Sequence, residues 1–175
     1  SEMCIRDRPA FAQMGAPPAA FMAAPAADQE ATSPADPVMD QVSALQNAWA
    51  DIKYSTADKH KKLAALDKLE KQAAGVVTEN PARAEPKIWD AIIISTQAGI
   101  IKGVSALPKV KNAKRLLEDA LRIDAKALDG SAHTSLGSLY YQVPGWPIGF
   151  GDEKKAEEHL KAALVINPDG IDPVS

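Results

Sequence analysis

Cysteine is almost absent: Cys4 is the single one in 175 residues. One thiol excludes an intrachain disulfide framework and a zinc site built from cysteines. Aromatic residues make up only 5% of the chain, too few for a β-sandwich, whose strands draw on aromatic and β-branched side chains. Alanine is abundant and favours helices. No apolar run approaches the ~18–20 residues that cross a bilayer as a helix. Excess positive charge is missing too. Twenty Lys and Arg stand against 23 Asp and Glu, a net charge of −3, which argues against a dedicated nucleic-acid binder. No H-E-x-x-H, P-loop or G-x-G-x-x-G motif occurs, so neither a metal nor a cofactor is expected. What remains is 46% apolar and 25% charged, values of a globular protein, and the expected fold class is all-α.

Residues 1–37 differ in character from the rest. Ser1–Arg8 reads SEMCIRDR, has no periodicity and resembles a translated adapter scar; Cys4 lies inside it and is given no role. Ala10 and Ala12 match the A-x-A pattern of a signal-peptidase site, although no apolar stretch precedes them. The expected location is therefore periplasmic or secreted. Pro9, Pro17, Pro18, Pro25, Pro34 and Pro37 remove amide donors and block helix interiors. The segment reads as a disordered tether, and the folded domain as 38–175.

From Val38 onward the apolar residues recur with helical spacing. Val38, Val42, Leu45, Trp49 and Ile52 form one stripe to about Tyr54, opened by Asp36-Pro37 as cap and first residue. Ser55 or Thr56 is expected to cap a second helix, with Leu63, Leu66, Leu69, Ala73, Val76 and Val77 inward and a stop before Asn80-Pro81. A third follows Glu85-Pro86 to about Lys102, where the helical period outweighs the β-prone run Ile92-Ile93-Ile94. Pro108 opens a fourth, with Val110, Ala113, Leu116, Leu117, Ala120, Leu121 and Ile123 inward. A fifth spans about Gly130 to Gln142. A sixth begins after Asp152, with Ala156, Leu160, Ala163, Leu164 and Ile166 inward, and stops at Asn167-Pro168.

The helices repeat. N-P-x-x-x-[DE]-P occurs at Asn80–Pro86 and again 87 residues on, at Asn167–Pro173. Ala113, Leu117, Ala120, Leu121 and Ile123 each stand 43 residues before Ala156, Leu160, Ala163, Leu164 and Ile166. A period in this range with two helices per unit is the signature of a solenoid. Leu136-Gly137 with Tyr140, then Ala156, Leu160, Ala163 and Pro168, resembles the tetratricopeptide (TPR) consensus. Its small residues let two helix backbones approach closely.

The segment from Asp129 through the loop Val143–Gly151 to Pro173 is similar to a group of exported bacterial TPR-like proteins. These are related to the T-component that accompanies tripartite ATP-independent periplasmic (TRAP) transporters. The resemblance covers roughly Val38–Pro173. It implies an α-solenoid of three TPR-like hairpins serving as a periplasmic scaffold. It also implies a further helix pair, so the domain reads as truncated at its C-terminus. Val165, Ile166 and Ile171 would then lack partners and promote self-association.

Chemistry is sparse. His133 lies between Ser131 and Ser135, but residues two apart do not share a helix face, so it reads as a half-buried packing residue. His60 and His159 sit among Lys and Glu and read as exposed. Seven basic residues between Lys102 and Lys126 face three acidic ones; a solvated helix face is the simpler reading, recruitment of an acidic partner the other. The insertion Val143–Gly151 carries the most information. Tyr140, Tyr141, Trp146 and Phe150 cluster around it, stiffened by two prolines and loosened by three glycines. These four, with Trp89, are the candidate binding residues; no catalytic residue is named. The expected function is non-enzymatic binding of a protein, peptide or small ligand. The alternatives are a solute-handling accessory of a TRAP-type transporter, and an enzyme whose catalytic part lies outside this segment. A deep apolar cavity lined by Tyr140, Trp146 or Trp89 would favour the transport reading.

Overall fold

A computed structural model of the chain describes residues 35–168. The expectations for Cys4, for Ala10 and Ala12, for the tether and for Ile171 to Pro173 lie outside them. Among the described residues there are six α-helices and no β-strand.

The first helix, α1 (Pro37–Ser55), opens as expected: the Asp36 carboxylate accepts from the Val38 and Met39 amides. The same carboxylate takes two bonds from Arg83, at 2.9 and 3.3 Å. Arg83 also bonds Glu85 at 3.1 Å. This chain ties the start of α1 to the start of α3 (Ala84–Ile101). The Arg83 guanidinium holds the Asp36 carboxyl below its usual range.

Helix α2 spans Lys59–Glu79, and its cap is Asp58, which accepts from the Lys61 amide. Ser55 and Thr56 do not serve: Ser55 still belongs to α1, and the Thr56 amide closes that helix on Ile52. Helix α3 starts three residues earlier than expected, so Glu85 and Pro86 fall inside its first turn, where proline is tolerated.

Helix α3 is buried on nearly every side, including Ile88, Trp89, Ile92, Ile93, Ile94 and Ala98. That explains the isoleucine run: a helix surrounded by neighbours is apolar all round. Trp49 of α1 locks onto it. The Trp49 indole donates to Thr96 Oγ1 at 2.8 Å, and the Thr96 hydroxyl donates to the Ile92 carbonyl at 2.8 Å. Trp49 and Trp89 meet edge to face, with ring centroids 5.5 Å apart.

A 3-10 turn leads into α4 (Leu107–Ile123). A second one, Ala127–Gly130, turns the chain into α5 (Ser131–Gln142) through three left-handed residues, Leu128, Asp129 and Gly130. Helix α6 spans Glu153–Ile166 and is capped by Asp152. Each helix packs on the next in sequence; in addition α1 touches α3, and α3 touches α5.

Close approach of α5 and α6 depends on Gly137, where an added Cβ would lie 2.8 Å from Leu160 Cγ and 3.2 Å from the Ala156 carbonyl. Ala156 and Ala163 are buried in the same contact. Two inward assignments fail, and so does one expectation of a missing partner. Ile123 is exposed, because it is the last residue of α4. Leu164 is exposed on the outer side of α6. Ile166 does have a partner: it closes over Gly130, with its side chain 3.3 Å from where a Cβ would stand. The remaining exposed apolar residue at this end is Val165, 83% exposed.

Candidate functional site

The loop between α5 and α6 is shaped by its own backbone. The Gly145 carbonyl accepts from the Ile148 and Gly149 amides, and the Gly151 amide donates to the Pro144 carbonyl at 2.9 Å. The Asp152 amide returns to the Tyr140 carbonyl at 2.9 Å and closes the loop on α5. The two crossing backbones leave no room for side chains. A Cβ on Gly149 would stand 2.7 Å from the Pro144 carbonyl oxygen, and one on Gly151 1.8 Å from that of Val143. Glycine is therefore required at both positions. Val143 is fully buried at the stem.

On this stem the candidate residues separate. Phe150 folds back and meets Tyr140 edge to face, ring centroids 5.5 Å apart. Tyr140 is buried. Lys114 of α4 reaches over the Phe150 ring at 5.6 Å, and Lys155 of α6 over Tyr140 at 5.6 Å. Tyr141 is 39% exposed, on the outer side of α5. Trp146, by contrast, is 90% exposed and Ile148 58% exposed. Trp89 belongs to the core against Trp49 and offers no surface. So Tyr140, Phe150 and Trp89 are structural, and Trp146 and Ile148 form the presented tip. Tyr140, Trp146 and Trp89 do not gather around a common cavity.

Below the loop lies a pair that sequence reading missed. His133 Nδ1 and His159 Nδ1 are 3.0 Å apart. Their ring centroids are separated by 5.3 Å, so the two nitrogens point nearly straight at one another. Such a linear contact is an N–H···N bond, with one ring donating and the other accepting. His159 also stacks flat on Tyr140, centroids 5.6 Å apart and planes 6° from parallel. Burial lowers the pKa of both rings, and His133 lowers that of His159 further. His159 is thus half-buried rather than exposed. Its sequence neighbours are polar, and only the fold of α5 over α6 covers it.

A second buried group is Asp90, on α3. Its Oδ1 has no hydrogen-bond partner, and burial, with Glu70 nearby, pushes its pKa up to about 7. Among the described residues no three His, Cys, Asp or Glu side chains gather to hold a metal. The basic residues of α4 are largely partnered: Lys114 with Glu118 at 2.8 Å, Arg122 with Asp119 and Arg115 with Asn112 on the same helix, and Lys109 with Gln97 of α3. That pairing supports the solvated-face reading.

No protein-family model, curated protein or solved structure matches the chain. No helix among the described residues is long and apolar enough to cross a membrane.

Proposed function

We propose that this chain is a non-enzymatic helical-repeat scaffold that binds a protein or peptide partner through the tip of the 143–151 loop. The hairpins α1/α2, α3/α4 and α5/α6 would be three TPR-like units of a short α-solenoid, working in a periplasm. Neighbour-on-neighbour packing, with α1 on α3 and α3 on α5, supports the repeat reading. So do the small residues Gly137, Ala156 and Ala163 at the last hairpin's interface. The periplasmic setting, and any link to a TRAP-type transporter, rest on the sequence resemblance and the A-x-A pattern. The separation of Tyr140, Trp146 and Trp89 favours partner binding over the apolar-cavity version of the transport reading.

The observation that carries the proposal is Trp146. A tryptophan is costly to leave in water, and a rigid loop that presents one beside an exposed isoleucine has the composition of a binding hot spot. A photo-crosslinking residue at Ile148 tests it in cells. A defined crosslinked species should form, disappear with Trp146→Ala and survive Tyr54→Ala, which removes an exposed aromatic elsewhere. Equal crosslinking in both variants would contradict the proposal.

A further inference from the structure

We infer that the cleft between the ends of α1, α2 and α3 is a binding site for a small, multiply charged phosphate anion. This site is built from other helices than the 143–151 loop and rests on different residues from the partner-binding proposal.

Lys53 comes from the last turn of α1, Lys59 and Lys62 from the first turn of α2, and Lys102 from the end of α3. They surround an open cleft of about 270 Å³ whose floor is Thr96, Gly99 and Ile100. That volume is at the small end for ligand pockets. No carboxylate lines it, and among the described residues none of the four lysines forms an ion pair. In a chain with net charge −3, four cations around one unneutralised cleft are a concentrated positive field.

The contacts that do exist position the ammonium groups without neutralising them. Lys53 Nζ lies over the Trp49 ring at 4.8 Å and Tyr54 at 5.5 Å. Lys62 Nζ donates to the Lys53 carbonyl at 3.2 Å and so covers the negative end of α1. Burial and the charge of Lys62 both lower the pKa of Lys53. A bound anion would relieve that repulsion. Lys102, at the rim, has φ 61 and ψ 166, a region held almost only by glycine.

The residue type selects the ligand. Arginine presents a planar fork that binds carboxylate and phosphate alike, in a fixed orientation. Lysine presents a compact point charge that matches a tetrahedral oxyanion from any direction. Four point charges converging from three helices on one small cleft suit a compact anion with several negative charges, and a di- or polyphosphate group is the one that packs most charge into that volume. The phosphate could come from a soluble compound or from a lipid headgroup; the small cleft volume favours the soluble source.

Calorimetric titration of inorganic pyrophosphate into the whole chain at low salt tests this. Saturable one-to-one binding is expected. Lys59→Gln with Lys102→Gln, both exposed positions, should weaken it about tenfold with no change in melting temperature. Lys111→Gln with Lys126→Gln removes the same charge from exposed positions elsewhere and should leave affinity within about twofold. Absence of saturation, or equal loss in both double variants, would overturn the site. In parallel, phosphatidylcholine vesicles containing phosphatidic acid should not sediment the chain. Sedimentation that needs Lys59 and Lys102, without pyrophosphate binding, would overturn the small-molecule assignment in favour of a membrane surface.

Discussion

The contact of α1 with α3 and that of α5 with α6 solve the same problem with different chemistry. Each joins two helices through a polar bond set among aromatic rings. At the first, the Trp49 indole bonds a threonine hydroxyl that is itself anchored on the backbone. Neither partner titrates near neutral pH. At the second, two imidazoles share one proton between nitrogens 3.0 Å apart, with Tyr140 stacked beneath. The first lock is insensitive to acid. The second holds while at least one ring is neutral and fails when both are protonated, because two N–H groups then face one another. Of these two contacts, only the one in the hairpin that carries the exposed loop responds to mild acid.

The comparison can be broken most severely at its neutral end. Trp49→Ala removes a fully buried ring and the indole bond to Thr96, and should cost about 3–5 kcal/mol in denaturant unfolding. A loss near that of a surface residue would show that α1 is not locked. Gly137→Ala strikes the other contact. Its Cβ would collide with Leu160, and a loss of ~2 kcal/mol is expected from overpacking, read in the same experiment.

Asp90→Asn sharpens the contrast by acting in the opposite direction. Burial raises the folded-state pKa of Asp90 to about 7, from 3.8 for a carboxyl in water. The carboxyl is therefore tolerated below the unfolded value, and stability is lost as pH rises toward 7. The ionised form carries a penalty on the order of 4 kcal/mol at most, and an amide, still buried, relieves part of it. We expect a gain of ~1–2 kcal/mol at pH 8 that vanishes below pH 4. No gain at pH 8 would mean that Asp90 is paired or hydrated in solution.

The histidine pair gives a smaller effect with a definite location. Both folded pKa values lie below 6.5, so the unfolded chain binds more protons in that window. Stability from the pair is present above about pH 6.5 and is lost as pH falls through the folded values. Other charges face the rings: Glu118 of α4, and Lys155 and Glu158 of α6. Hydrogen exchange should show α6 amides losing protection on acidification while α1 amides keep theirs. His159→Phe, which preserves the stack on Tyr140, should remove the difference. Smallest of all is Trp146→Ala, expected within about 0.5 kcal/mol of the parent.

Much of this fold was legible along the chain. The stripe Val42, Leu45, Trp49 and the signals at Asp36-Pro37, Asn80-Pro81 and Asp152 located helices and caps, since periodicity and proline act locally. Gly137 was legible as a close-approach residue for the same reason. What failed depended on the third dimension. Ile123 and Leu164 fit a stripe but sit at a helix end and on an uncovered side. Asp90 interrupts an apolar run and looks like a solvent-facing gap, yet α3 is enclosed by its neighbours. His159 stands between Glu158 and Leu160, and nothing nearby announces His133. The four lysines of the cleft span three helices, so no local pattern could gather them. The loop was legible as an aromatic insertion. Which of its rings would turn inward was decided by Tyr140 and the glycine-tight stem.

The central contrast is between tryptophans that hold the core and the one that is presented. It is tested most directly by Trp146 fluorescence in a chain with Trp49 and Trp89 replaced by phenylalanine, read under conditions where circular dichroism shows the helices intact. Emission as red, and as readily quenched by iodide, as that of free tryptophan is the expected result. Blue-shifted emission shielded from iodide would place Trp146 against the helices and contradict the account.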